Sequence, residues 1–133
     1  MTIDTLFVYG TLRRDAGHPM HRLLTELAVC LGPASWQGRL YRVADYPGAI
    51  PSVYPHERVI GEIWRLKEPE RLLPLLDQYE ECGPGFPEPT EYVRELHRVQ
   101  GAAGRSLRAW VYVYNRPVAG LERIPSGDFL AGN

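Results

Sequence analysis

Two short segments of this sequence combine residue types that can do chemistry. The first is Tyr9-Gly10-Thr11-Leu12, which directly follows the apolar run at residues 5–8. A glycine at a strand end lets the chain turn sharply, and backbone N–H groups beyond it can converge on a ligand oxygen. The alternative is a plain turn between strand and loop. The glycine spacing excludes the dinucleotide-binding and Walker phosphate-binding motifs.

The second segment is Leu76-Asp77-Gln78-Tyr79-Glu80-Glu81, at the end of a leucine-rich run with helical spacing. A carboxylate there meets the negative end of the helix dipole, and partial burial disfavours its charged form. Both effects raise the pKa of Glu80 from about 4.3 toward neutrality, as a general acid–base group requires. The alternative is a solvated glutamate that ends the helix. Because Glu80 and Glu81 are adjacent, at most one is catalytic.

Other reactive residue types lack partners. A cysteine beside a base would be a nucleophile, but Cys82 has no histidine near it in the sequence. His18 and His21 share a helical face, yet a third metal ligand at usable spacing is missing. His56 and His97 have no evident carboxylate or cysteine partner. We therefore expect no metal site.

The surrounding pattern predicts the elements that position these segments. Residues 5–9 read as a strand buried on both faces, and residues 18–27 as a short amphipathic helix. Strands are expected at residues 29–31 and 36–43, with Gly32-Pro33 as a turn between them.

Further along the chain, prolines and glycines complicate the pattern. Residues 45–51 hold two prolines and a glycine, which favours an ordered loop over a ladder strand. A helix is expected over residues 69–79, with a kink at Pro74 or a second start near Leu73. Three more strands are expected at residues 59–66, 92–99 and 107–114. The predicted class is α+β, with a mixed, partly closed β-sheet or barrel and two or more short helices.

Composition narrows the classes of partner and compartment. The 133 residues fit a single domain spanning 1–133, with 44% hydrophobic and 23% charged residues. A net charge of −1 argues against binding to nucleic acid or an anionic membrane. Two cysteines make no disulfide framework, and neither a signal peptide nor a run of about 20 apolar residues is present. We expect a cytoplasmic protein.

The two segments, in this order and about seventy residues apart, resemble the gamma-glutamylcyclotransferase superfamily. That family has Tyr-Gly-Thr/Ser-Leu after its first strand and a later Leu-Asp-x-aromatic-Glu segment. The resemblance extends over nearly the whole chain. It includes Gly38-Arg39-Leu40-Tyr41, Tyr46-Pro47-Gly48, Tyr92-Val93-Arg94, Ala109-Trp110-Val111-Tyr112-Val113-Tyr114 and the tail Ile124-Pro125-Ser126-Gly127-Asp128-Phe129. The tail is similar to that of the short bacterial branch.

The resemblance implies an activity and a site. It implies cyclisation of a small-molecule gamma-glutamyl amine or amide to 5-oxoproline with release of the amine, without metal or cofactor. Glu80 matches the catalytic acid–base, and Tyr9, Gly10, Thr11 and Leu12 match the substrate-gripping loop. Three further tyrosines are candidate pocket walls, although each is equally compatible with the core: Tyr46, Tyr92 and Tyr114.

Two departures from the family pattern bear on specificity. A glycine commonly follows the catalytic glutamate, whereas this chain has Glu81, whose like charge is expected to raise the pKa of Glu80 further. The loop at residues 82–90 is long and rich in proline, which bears on the amine that the pocket accepts. The alternative function is a non-catalytic small-molecule-binding module on the same fold.

Overall fold

Within the described residues 3–10, 19–82 and 85–131 of the computed structural model, the chain forms seven strands and two α-helices. The strands are β1 Thr5–Val8, β2 Ala28–Arg42, β3 Pro47–Pro51, β4 Arg58–Leu66, β5 Tyr92–Gln100, β6 Ser106–Tyr114 and β7 Glu122–Arg123. The helices are α1 Pro19–Leu27 and α2 Pro69–Tyr79, and a 3₁₀ turn, Ala102–Gly104, links β5 to β6.

Five of these strands close into a barrel. The sheet order is β3-β2-β4-β1-β6-β5, and β2 returns to pair with β5 at Ser35 and Gln100. The β1–β6 pairing is parallel, whereas every other pairing in the described sheet is antiparallel. This mixed, closed sheet with two short helices confirms the predicted α+β class.

Residues that alternate along the barrel strands belong to two separate apolar clusters. In β1, Phe7 belongs to a cluster drawn from all five barrel strands, whereas Leu6 and Val8 belong to a second cluster. The second cluster also contains Leu24 of α1 and Leu72, Leu73 and Leu76 of α2, so the helices cover the outer face of the barrel. Since β1 is buried on both faces, its near-continuous apolar run is explained and the prediction for it is confirmed.

The structure corrects two predictions about the first half of the chain. Gly32-Pro33 is not a turn, because β2 runs unbroken from Ala28 to Arg42 with an irregularity between Cys30 and Gly32. Residues 45–51 are not wholly a loop, because Pro47–Pro51 forms β3 against β2. β3 lies at the edge of the sheet, and its two prolines occupy its ends, where a missing N–H is tolerated.

Both helices form where they were expected. α2 begins with Pro69 in its first turn and continues through Pro74, so the predicted second start near Leu73 is wrong. Its buried residues include Leu72, Leu73 and Leu76, and these contacts offset the lost backbone hydrogen bond at the proline. None of the helices in the described part of the chain has the length and apolar character to cross a membrane.

A largely buried carboxylate, that of Glu57, links β2, β7 and the connection between β3 and β4 through hydrogen bonds. Glu57, with 6% of its side chain exposed, accepts hydrogen bonds from Arg39 of β2 at 2.8 Å and Arg123 of β7 at 2.9 Å. The Ser52 hydroxyl also donates to it. The hydrogen bonds from Arg39 and Ser52 lower the pKa of Glu57 to about 2.

The tail motif docks by close backbone approach. The amide of Ile60 donates to the Gly127 carbonyl at 2.7 Å, and Gly127 has φ of 73°. A Cβ at Gly127 would lie 1.9 Å from the Arg58 carbonyl oxygen. Only glycine meets both demands, so the motif Ile124–Phe129 serves to anchor the tail against β4.

Candidate active site

A cavity of about 310 Å³ opens where several elements end or begin. It lies at the C-terminal ends of β1, β6 and α2, beside the starts of β3 and β5. Its described lining consists of Phe7, Val8, Tyr9, Gly10, Asp45, Tyr46, Pro47, Tyr79, Glu80, Glu81, Glu91, Tyr92 and Tyr112. The two segments singled out by the sequence therefore meet in one cavity.

The end of α2 positions Glu80. The amide of Glu81 donates to the Gln78 carbonyl at 3.1 Å, and the amide of Cys82 donates to the Asp77 carbonyl at 3.0 Å. These two bonds make a Schellman cap, in which Glu80 is the C-cap and Glu81 has a left-handed φ of 53°. Glycine is the usual residue at the left-handed position, which explains the family preference after the glutamate.

Glu80 and Glu81 have different surroundings although both line the cavity. Glu81 is exposed, whereas Glu80 is only partly exposed. Burial raises the pKa of Glu80 to about 8, and the charges of Glu91 and Asp77 add to the effect. The like charge that was expected from Glu81 thus comes from two other carboxylates, Glu91 before β5 and Asp77, three residues earlier on α2.

The tyrosine hydroxyls around the cavity use their protons within the protein. Tyr9 donates to the Tyr112 carbonyl at 2.5 Å, and its oxygen accepts from the Ala49 amide at 3.2 Å. Tyr92 donates to the Pro47 carbonyl at 2.5 Å. Burial raises the pKa of Tyr9, Tyr92 and Tyr112. These phenols therefore hold the walls in place and are poorly suited to exchange protons near neutral pH.

A partly buried polar network connects the last turn of α2 to β5 and β6. Asp77 accepts two hydrogen bonds from Arg94, at 2.8 and 3.1 Å, and one from the Tyr112 hydroxyl at 2.6 Å. The Arg94 guanidinium also lies 4.4 Å from the centroid of the Trp110 ring. The bidentate ion pair fixes α2 to β5 and β6, so Asp77 and Arg94 hold the backbone that carries Glu80.

Most of the predicted substrate-binding residues lie at the cavity, but not all. Tyr9, Gly10, Tyr46 and Tyr92 line it with Glu80. Thr11 and Leu12 lie outside the described residues. Tyr114 is not among the described lining residues, because its ring packs against Tyr92, 5.6 Å between centroids, and lies over Gly48.

Tyr112 and Glu91 are among the lining residues that sequence reasoning did not predict for the site. Tyr112 lines the cavity, as was predicted for Tyr114. Tyr114 lies two residues later on the same face of β6. Glu91 was not singled out, although it directly precedes the Tyr92-Val93-Arg94 motif. The hydroxyl of Tyr46 donates a hydrogen bond to the Glu91 carboxylate.

The surroundings of Cys82 and of the histidines bear on the two other sites considered from the sequence, a cysteine nucleophile and a metal site. Burial, together with Asp77 and Glu80, raises the pKa of the Cys82 thiol to about 12, which opposes formation of a nucleophilic thiolate. The ring of His21 packs edge-on against Trp64, 5.7 Å between centroids, and His18 lies outside the described residues. Among residues 3–10, 19–82 and 85–131, no three His, Cys, Asp or Glu side chains gather as a metal site would require.

The fold and this site define the class of protein. Residues 6–131 match the family described as Gamma-glutamyl cyclotransferase, AIG2-like, and the chain belongs to that family. The predicted superfamily is therefore confirmed.

Relatives and solved structures agree with this assignment. The chain is 36% identical over 125 residues to the gamma-glutamylcyclotransferase family protein YtfP of Escherichia coli K12, covering 94% of this chain and 95% of that protein. The solution structure of Escherichia coli ytfP matches with a TM-score of 0.65 and 37% identity, over 95% and 96% of the two chains. The crystal structure of an AIG2-like protein from Mus musculus matches with a TM-score of 0.72 and 26% identity, over 94% and 88%.

Proposed function

We propose that this protein is a gamma-glutamyl cyclotransferase that converts a gamma-glutamyl amine or amide to 5-oxoproline and the free amine. The observation that carries the proposal is the position of Glu80. A Schellman cap places this glutamate at the cavity, and burial raises its pKa to about 8. Such a carboxyl group can both accept and return a proton near neutral pH.

The proposed reaction needs one proton carrier and no cofactor. Glu80 takes a proton from the α-ammonium group of the substrate, and the freed amine attacks the γ-carbonyl carbon to close a five-membered ring. The bond between that carbon and the leaving nitrogen then breaks as Glu80 returns the proton to this nitrogen. The ionised Glu80 also takes the second proton from the ring nitrogen and passes it to the released amine, which leaves as an ammonium ion. One carboxyl group serves both steps because the two nitrogens are bonded to the same carbon in the cyclised intermediate.

The turn after β1 is the proposed holder of the glutamyl group. Gly10 lies at the cavity, and the side chain of Pro47 would lie 3.0 Å from a Cβ at this position. A Cβ here would require the Pro47 ring to shift by a few tenths of an ångström, so this close approach favours glycine. Backbone N–H groups at and beyond Gly10 are proposed to bind the substrate carboxylate or the developing oxyanion.

Three of the tyrosines that line the cavity present their aromatic rings to a substrate, because their hydroxyl groups are hydrogen-bonded within the protein. Tyr9, Tyr92 and Tyr112 donate their hydroxyl protons to protein acceptors. Their rings therefore form a firm apolar wall, and the proton transfer is left to a carboxyl group. In the described lining, the only partly buried carboxylates are Glu80 and Glu91.

The direct test is Glu80→Gln, which keeps the shape of the side chain and removes proton transfer. Release of 5-oxoproline from gamma-glutamyl amines should fall by about 10²–10⁴-fold. Glu70→Gln is the matched control, since Glu70 is an exposed residue in the first turn of the same helix. If Glu80→Gln retains near wild-type turnover while Glu81→Gln abolishes it, the assignment of the catalytic residue is wrong.

A calorimetric titration separates catalysis from binding alone. Wild-type protein is titrated with 5-oxoproline and with gamma-glutamyl amines, and turnover is followed in parallel. Binding accompanied by turnover supports the proposal. Binding without turnover in the wild type would instead favour the alternative of a non-catalytic small-molecule-binding module.

A further inference from the structure

A second partly buried carboxylate, that of Glu91, lies in the cavity and has no role in the proton transfer described above. It lies immediately before β5, on the far side of the loop that follows α2. The Tyr46 hydroxyl donates to its Oε2 atom, so a residue from the β2–β3 connection orients it. The carboxylate is therefore held at the cavity from two segments of the chain.

The backbone around Glu91 is fixed by its own hydrogen bonds. The amide of Asn115 donates to the Glu91 carbonyl at 2.7 Å, and the Asn115 side chain donates to the Thr90 carbonyl at 3.2 Å. On the other side, the Tyr92 hydroxyl is bonded to the Pro47 carbonyl at 2.5 Å. A charged group mounted on such a segment loses little freedom when a ligand binds to it.

The Glu91 carboxylate forms no ion pair within the described part of the chain. Its described hydrogen-bond partner is the neutral Tyr46, and the charges of Glu91 and Asp77 both disfavour ionisation of Glu80. Arg116 lies close enough to influence Tyr46, yet its guanidinium is directed to the Pro89 carbonyl at 3.4 Å. Two carboxylates that share a cavity repel one another, so a bound cation would be stabilised there.

We infer that Glu91 is the binding residue for the α-ammonium group of the substrate, with Tyr46 as the positioning residue for its carboxylate. The inference rests on the proposed function, in which the reacting nitrogen enters as an ammonium group. Glu91 would hold this nitrogen beside Glu80 through a charge-assisted hydrogen bond, and Glu80 alone would carry the proton away. Glu91 would thus bind the ammonium group, and Glu80 would transfer its proton.

Two ligands that differ only in the ammonium group test this division. The first is L-gamma-glutamyl methylamide, and the second is glutaric acid monomethylamide, which lacks the α-amine. Both are titrated into Glu80→Gln protein, in which turnover is blocked, and into the double variant with Glu91→Gln. The added substitution should weaken binding of the ammonium compound at least tenfold and change binding of the other compound less than threefold.

Further variants separate binding from folding. Glu95→Gln, at an exposed position of β5 four residues after Glu91, should leave both affinities unchanged, and Glu91→Asp should restore part of the discrimination. Tyr46→Phe should weaken binding of the ammonium compound by a smaller factor than Glu91→Gln does. The ratio of the two affinities within one variant is its own control, because misfolding lowers both.

Equal losses for the two ligands, or no loss for either, would overturn the inference while leaving the proposed function intact. The proposed function is judged separately by turnover of the wild-type protein. If Glu80→Gln protein binds neither ligand, the cavity does not bind the glutamyl group. The inference about Glu91 and the proposed site of the glutamyl group are then both overturned.

Discussion

Glu80→Gln should make the protein more stable at the same time as it removes activity. Burial raises the pKa of Glu80 to about 8 from its ordinary value of 4.5, so the folded protein holds a proton that the unfolded chain releases. Between these two pH values, unfolding liberates a proton, and the folded state loses stability as the pH rises. Glutamine does not titrate, so the Glu80→Gln variant does not lose stability in this pH range for that reason.

The shift in pKa sets the size of the effect. Each pH unit between 4.5 and 8 lowers the free energy of unfolding of the wild type by about 1.4 kcal/mol. The gain from Glu80→Gln would then be about 3 kcal/mol at pH 7 and about 5 kcal/mol above pH 8. These are upper limits, because solvent in the cavity screens a partly exposed carboxylate.

Urea unfolding followed by circular dichroism measures this gain directly. Curves for the wild type and Glu80→Gln, collected at pH 5, 6, 7 and 8, should separate progressively as the pH rises. Glu70→Gln, on the exposed side of the same helix, should track the wild type. A variant that is no more stable than the wild type at pH 8, or a gap that does not narrow toward pH 5, would refute the buried-carboxyl reasoning.

Four other predictions follow from described contacts. The kcat/KM for gamma-glutamyl amines should rise about tenfold per pH unit from pH 6 and level off near pH 8, since the reaction begins with ionised Glu80; a flat profile contradicts this. Glu81→Gly should raise the free energy of unfolding by about 1 kcal/mol in urea titrations, because glycine adopts the left-handed φ of 53° without strain. Glu57→Gln should destabilise the protein at pH 7, with the difference in melting temperature vanishing as the pH falls from about 4.5 toward 2, where the wild-type carboxylate also becomes protonated. Gly127→Ala should lower the free energy of unfolding by about 2–4 kcal/mol, since its Cβ would lie 1.9 Å from the Arg58 carbonyl oxygen; an unchanged urea midpoint would show that the tail is not anchored there.

Local patterns in the sequence predicted the elements whose residues interact mainly with near neighbours. The run at β1 and the leucines of α2 carry their own periodicity, and both elements lie where they were expected. β3 was missed because proline disfavours a strand in general, whereas its position at a sheet edge is a property of the whole fold. The continuity of β2 through Gly32-Pro33 likewise depends on pairing with β4.

The same distinction applies to the residues of the candidate site. Some can be predicted from their neighbours in the sequence, and others only from contacts between distant segments. Glu80 could be singled out because the end of a helix and its own neighbours mark it. Tyr112 and Tyr114 share one face of β6, so alternation alone could not tell which of them meets the cavity. Glu91 was missed because its importance comes from Tyr46 and Glu80, which approach it only in the folded chain.

The barrel closes at the end opposite the cavity, and this has a consequence for how the molecule opens. In the described structure, β2 and β5 share a single backbone pairing, Ser35 with Gln100, and the Arg58 side chain joins the two by donating to the Ser35 hydroxyl at 2.9 Å and the Gln100 side chain at 3.2 Å. Glu91 and Tyr92, at the cavity, lie at the other end of β5. Amide hydrogens along this seam should exchange with solvent through local opening, on a faster timescale than those of β1. We therefore expect local opening at this seam, and tolerance of inserted residues at the neighbouring 3₁₀ turn, without a change at the end of the barrel that carries the cavity.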